Sequence, residues 1–169
     1  MYAGHAAIAL GAKAKRPQVS LALLVPVAFA PDWIEWFFNA SGHRNQDISH
    51  SLVSIGLGAT LVALLYGAAR SDWSGAGAVW LTYALHWPAD FVTGLKPTWP
   101  GGPIVGLYYY SKPGYDLSIE IVVIAACWMA YERSLPAESR RRAIRWLVPW
   151  GLIGLQLAFL FATVPGLRP

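Results

Sequence analysis

Residues 49–68 read SHSLVSIGLGATLVALLYGA, twenty consecutive positions without a Lys, Arg, Asp or Glu. A helix needs about 20 such residues to cross the hydrocarbon core of a bilayer, so this run predicts a membrane-spanning helix. The runs at 19–38, 75–94 and 146–164 have similar length and character, and 117–131 (LSIEIVVIAACWMAY) is shorter but almost purely apolar. Residues 3–14 are too short to span and predict a half-helix packed against the others. The chain is therefore expected to be one all-α integral membrane domain over residues 1–169, a polytopic bundle of about five transmembrane helices plus that N-terminal half-helix.

Composition agrees. Hydrophobic residues make up 56% of the chain, charged residues 13%, and the mean hydropathy is +0.41, against roughly 45–50% and about 25% in an average soluble domain. Nine Trp and eight Tyr suit two membrane interfaces, where amphipathic rings settle at headgroup level. Cys127 is the single cysteine, which excludes an intrachain disulfide. At the N-terminus Lys13, Lys15 and Arg16 follow the apolar stretch instead of preceding it, the reverse of a cleaved signal peptide.

The net charge of +4 does not point to nucleic acid, because the basic residues sort by side. With 19–38 leading outward, Lys13, Lys15, Arg16, Arg70, Arg133, Arg140, Arg141, Arg142 and Arg145 fall inside, and Arg44, Lys96, Lys112 and Arg168 outside. The excess of Lys and Arg in cytoplasmic segments sets orientation. The stretch 95–115 carries Pro97, Pro100, Pro103 and Pro113 with four glycines, so regular helix is not expected there. Its Trp99, Tyr108, Tyr109, Tyr110 and Tyr115 suit a lid in the headgroup region, or equally a simple aromatic anchor.

With orientation taken from basic residues alone, the four histidines and six of the nine acids gather toward the outer side. They are His5, His43, His50, His86, Asp32, Glu35, Asp47, Asp90, Asp116 and Glu120. Asp32/Glu35 is an i,i+3 pair, while His86/Asp90 and Asp116/Glu120 are i,i+4 pairs, and such neighbours share a helix face. Carboxylates so close repel one another and are costly near hydrocarbon; a bound cation removes both penalties. A His, Asp and Glu set without thiolate favours zinc first, with manganese or iron as further candidates.

Plainer roles exist for several of these residues. Asp32 after Pro31 suits a cap or turn, Ser49 could cap a helix opening at His50, and Asp116 stands before Leu-Ser-Ile-Glu in the manner of a capping box. Caps do not explain His86 and Asp90, set inside an apolar span around Pro88. That proline predicts a kink whose freed carbonyls need a polar neighbour.

Gly4-His5-Ala-Ala-Ile, Pro31-Asp32, His43-Arg44 followed by Ser49-His50-Ser51-Leu52, and His86-Trp-Pro-Ala-Asp90 together resemble the YdjM-type family of bacterial inner-membrane metal-dependent hydrolases, over roughly residues 1–120. That family is distantly similar in ligand order to zinc-dependent phospholipases C and single-strand nucleases. The resemblance implies His5, Asp32, His50, His86, Asp90 and Glu120 as metal ligands. The last pair departs from the pattern, placing Asp116 where a His is expected, which implies one or two ions instead of three.

The resulting expectation is a membrane-embedded metal-dependent hydrolase acting on a small-molecule or lipid phosphoester at the extracytoplasmic face. Glu35 or Asp116 would serve as base or additional ligand. The alternative is a metal-binding membrane protein or transporter without hydrolysis, since intramembrane His and carboxylates also build ion pathways.

Overall fold

The computed structural model describes residues 2–42, 46–140 and 143–163. They form an all-α bundle: α1 (Ala3–Lys15), α2 (Leu21–Ala28), α3 (Ala30–Ala40), α4 (Gln46–His50), α5 (Leu52–Arg70), α6 (Trp73–Ala84), α7 (His86–Thr93), α8 (Pro113–Ser134), α9 (Ala137–Arg140) and α10 (Leu147–Thr163). Between α7 and α8 a short antiparallel pair, β1 (Lys96–Pro97) with β2 (Ile104–Val105), interrupts the helices, followed by a 3-10 turn at Tyr109–Ser111.

Local chemistry explains the boundaries. The Ser20 hydroxyl accepts from Ala22 N at the start of α2, the Ser51 hydroxyl from Ser54 N at the start of α5, and the Asp72 carboxylate from Gly75 N at the start of α6. Each satisfies an amide that a helix terminus leaves orphaned. Pro31, at the first turn of α3, withholds a donor from the preceding turn, and α3 departs from α2 at 52°. Pro88 does the same beyond Leu85, so the run 75–94 folds as two helices, α6 and α7.

The expectation of five crossing helices therefore resolves more coarsely. Two helices, α5 and α8, are long and apolar enough to cross a membrane, or three if the bent pair α2 and α3 forms one span; α10 is apolar but shorter. Their outer faces carry Leu57, Leu61, Leu65, Val122 and Trp150, each more than half exposed. Water would not tolerate so much contiguous apolar surface, whereas lipid does.

The short α1 is the hub, packed against α2, α6, α7, α8 and α10. Ala3, Ala7 and Ala9 are fully buried, and such small side chains let neighbouring backbones approach closely. α1 runs parallel to α8: Gly4 N meets Glu120, Ala7 packs near Ile124, and Gly11 lies against Cys127. α10 returns antiparallel, with Arg145 bonded to Glu132 at 3.0 Å at one end and Gln156 reaching Asp116 at the other. The main core of Ala9, Leu24, Val27, Ile55, Ala59 and Val79 lies among α1, α2, α5 and α6.

The hairpin closes over α7. Leu107 N donates to Phe91 O at 2.7 Å and Tyr108 N to Gly94 O at 3.3 Å. At Gly106, with φ of 156°, a Cβ would stand 2.0 Å from the Gly94 carbonyl oxygen, so only glycine fits. Gly106→Ala is expected to cost about 1–3 kcal/mol and to lower the melting temperature in detergent, whereas Gly56→Ala, with open space around its Cβ, should leave it unchanged.

Candidate metal centre

Side chains from four helices converge on one point. Asp32 and Glu35 come from α3, His50 from the end of α4, His86 and Asp90 from α7, and His5 from the first turn of α1. His5, His50, His86 and Asp90 are buried; Asp32 and Glu35 border a cavity of about 300 Å³.

His86 shows how the site is oriented. Its Nδ1 lies 2.9 Å from the Ala28 carbonyl oxygen, at the end of α2, where carbonyls lack intrahelical donors. A carbonyl only accepts, so Nδ1 carries the proton and Nε2 the lone pair. That Nε2 is buried with no hydrogen-bond partner among the described residues, and stands 3.5 Å from Asp90 Oδ2 and 3.6 Å from Asp32 Oδ1. Metal-ligating histidines are typically held this way, by a hydrogen bond from the other ring nitrogen.

His50 is held differently, with hydrogen bonds at both ring nitrogens, Nε2 to Asp32 and Nδ1 to Ser49. Ser49 Oγ lies 2.8 Å from its Nδ1 and Glu35 Oε2 3.3 Å away, while Nε2 is 3.2 Å from Asp32 Oδ1 and 3.7 Å from Asp90 Oδ2. His5 Nε2 lies 3.2 Å from Asp90 Oδ1, yet both its ring nitrogens lack a hydrogen bond among the described residues. Its ring stacks on His86, centroids 3.9 Å apart.

These residues could hold a metal ion. Ligand atoms of His5, Asp32 and His86, of His50, His86 and Asp90, and of Asp32, Glu35 and His50 lie in each case within 4.8 Å of one another. Donors about 2.0–2.1 Å from a tetrahedral ion stand roughly 3.3–3.4 Å apart, close to the 3.2–3.7 Å separations observed. His5 Nε2 and His86 Nε2 stand 3.2–3.6 Å from carboxylate oxygens without an aligned hydrogen bond, an arrangement that a cation between them would satisfy.

Glu120 and Asp116 are placed elsewhere, which departs from the expected ligand set. Both oxygens of Glu120 accept backbone bonds at 2.6 Å, from Tyr2 N and Gly4 N. Asp116 Oδ2 accepts from Gln156 Nε2 at 3.0 Å, and Gln156 Oε1 accepts from Ala3 N at 3.2 Å. The i,i+4 pair on α8 does share a face, but that face meets the amino end of α1 and satisfies its orphan amides. The capping-box role for Asp116 fails too, since α8 begins at Pro113 and Asp116 lies within its first turn. Asp47 accepts from Gly101 N at 2.8 Å and so pins the hairpin tip. His43 lies outside the described residues. Ser49 turns to His50, and Ser51 caps α5 instead.

Sequence reasoning missed Lys96, whose Nζ lies 3.0 Å from Asp90 Oδ2 with the side chain 12% exposed. It had counted only as an outer basic residue. Tyr2, Trp36, Tyr110 and Phe159 supply the cavity's aromatic walls; burial raises the Tyr110 hydroxyl pKa and keeps it a neutral donor. Compared with protein-family models, characterised proteins and solved structures, the chain matches none.

Metal analysis of the purified protein is expected to find stoichiometric divalent metal. His86→Ala and Asp90→Ala should each lose most of it, while Asp47→Asn and Asp116→Asn keep it. A wild-type protein without bound metal would overturn the centre.

Proposed function

We propose that this chain is a membrane-embedded, metal-dependent phosphoester hydrolase whose site faces the extracytoplasmic side of a bacterial inner membrane, with zinc as its metal. The observation that carries the reading is the convergence of His5, His50 and His86 Nε2 with Asp32 and Asp90, one nitrogen locked by the Ala28 carbonyl and two histidines orphaned. The resemblance to the YdjM-type family supports the same chemistry.

His5, Asp32, His50, His86 and Asp90 would hold the ion. Bound there, a divalent metal supplies Lewis acidity and lowers the pKa of a coordinated water. Glu35 supplies the base. Its Oε2 sits beside His50, and its side chain, 20% exposed, borders the cavity, so it can take a proton from an attacking water and pass it to solvent. Tyr2, Tyr110 and Phe159 would shield the reacting ester from bulk water.

A lipid phosphoester suits this site best. On α3 the acids face the cluster while Trp33 and Phe37 project outward, more than half exposed, as interfacial aromatics do. A headgroup could reach the cavity without leaving the bilayer. The basic last turns of α1, α5 and α8, with Lys13, Lys15, Arg70 and Arg133, lie at the opposite ends of helices whose starts flank the site, which supports a cytoplasmic side away from it. A conduit would need polar groups along its length, yet the core beneath the cluster is Leu24, Val27, Ile55 and Val79.

Zinc- or manganese-loaded protein is expected to cleave a phosphodiester or phospholipid. Glu35→Gln should retain metal and lower kcat by about 10²–10⁴-fold. Stoichiometric metal with no turnover of any phosphoester would turn the assignment to the carrier or transporter reading.

A further inference from the structure

Lys96 is an odd neighbour for a cation site. An ammonium cannot ligate a metal, and its charge opposes metal binding at Asp90, 3.0 Å away. It is nonetheless held there deliberately. Its strand pairs with Val105, Trp87 Nε1 donates to Pro97 O at 3.2 Å, and Val53 N to Thr98 O at 3.2 Å. Three separate elements, β2, α7 and α5, therefore position the two or three residues around Lys96.

Charge explains the arrangement. Asp32, Glu35 and Asp90 all border the cavity, and three carboxylates outweigh one divalent ion, leaving residual negative charge where an anionic ester has to enter. Among the described residues lining the cavity, Lys96 is the single basic one, and it cancels that excess. Its ammonium has three donors; one serves Asp90, and the others remain for an oxygen in the cavity. Desolvation strengthens such a charge-assisted bond.

Resting on the phosphoester reading above, we infer that Lys96 is the substrate-positioning residue that receives the anionic phosphate group entering this cavity. The hairpin is then a carrier for Lys96 and not merely an aromatic anchor. The phosphate can belong to a lipid headgroup or to a soluble ester, and the aromatic walls fit the apolar remainder of either.

The test uses full-length protein in detergent, loaded with zinc, and titrates two probes by calorimetry: inorganic phosphate and a short-chain phosphatidylglycerol. Lys96→Met is expected to hold zinc at the wild-type stoichiometry and to lose at least about tenfold in affinity for both probes, while Lys96→Arg stays within about threefold. In turnover the Lys96→Met defect should fall on KM more than on kcat. Tighter wild-type binding of the lipid probe assigns the phosphate to a headgroup, and equal affinities assign it to a soluble ester. Unchanged probe affinity in Lys96→Met overturns the inference. So does a variant that loses zinc while its loaded fraction binds phosphate normally, since Lys96 would then only steady Asp90. Repeating the titration after chelation separates the two readings: phosphate binding that still depends on Lys96 without zinc sustains this inference by itself, whereas a wild type that takes up no zinc when loaded overturns the metal centre.

Discussion

One hydrogen bond, from His86 Nδ1 to the carbonyl of Ala28, joins the two places where this bundle breaks. Pro31 ends α2 and Pro88 separates α7 from α6, and each break leaves carbonyls without helical donors. In lipid such groups must be satisfied from within the protein. His86 satisfies one of them, and in doing so its own tautomer is settled with the Nε2 lone pair toward Asp32 and Asp90. The same contact thus stabilises an interrupted span and prepares a ligand, and the acids it faces sit early in the helices that restart after the breaks.

The remaining histidine depends on a separate device. His5 is useful only if the first turn of α1 is held firmly, and that turn has no capping side chain of its own. Glu120 on α8 and Gln156 on α10 do the holding, accepting from three successive backbone amides at Tyr2, Ala3 and Gly4, while Asp116 accepts from Gln156 and fixes it in place. A carboxylate at a helix amino end is also favoured by the helix dipole. The acids toward this end of the bundle therefore divide into two groups with different partners: Asp32, Glu35 and Asp90 face imidazoles and could hold a cation, while Asp116 and Glu120 face the amide groups at the start of α1 and in Gln156.

That division marks where the sequence could be read and where it could not. His86/Asp90 and Asp32/Glu35 were legible because i,i+3 and i,i+4 spacing places both members on one face, and both pairs do reach the same cluster. Asp116/Glu120 carries the same signal and means something else, because spacing says that two carboxylates share a face but not what that face meets. Gln156, which completes the alternative, is uncharged and forty residues beyond Asp116. Lys96 was hidden for a related reason. Its position depends on a two-residue pairing with β2 inside a Pro- and Gly-rich stretch with no periodicity to read. The all-α class followed from apolar run lengths, whereas the division of 75–94 at Leu85 required knowing that Pro88 would end one helix and not merely bend it.

The position of the cluster within the bundle bears on what it can be. The main core is largely aliphatic, with Leu24, Val27, Ile55 and Val79 nearly sealed from solvent and Tyr83 its one buried hydroxyl-bearing member. A cation moving through this interior would lose its ligands at once and gain none, a cost of many kcal/mol for a bare charge in an apolar medium. The cavity instead opens beside α3, whose aromatic face is turned outward, and beneath a hairpin anchored to α5 and α7. Such a site is closed below and accessible from the side. On the hydrolase reading proposed above, a substrate would enter, meet fixed groups and leave by this one lateral opening, and that is what favours the reading over a pathway.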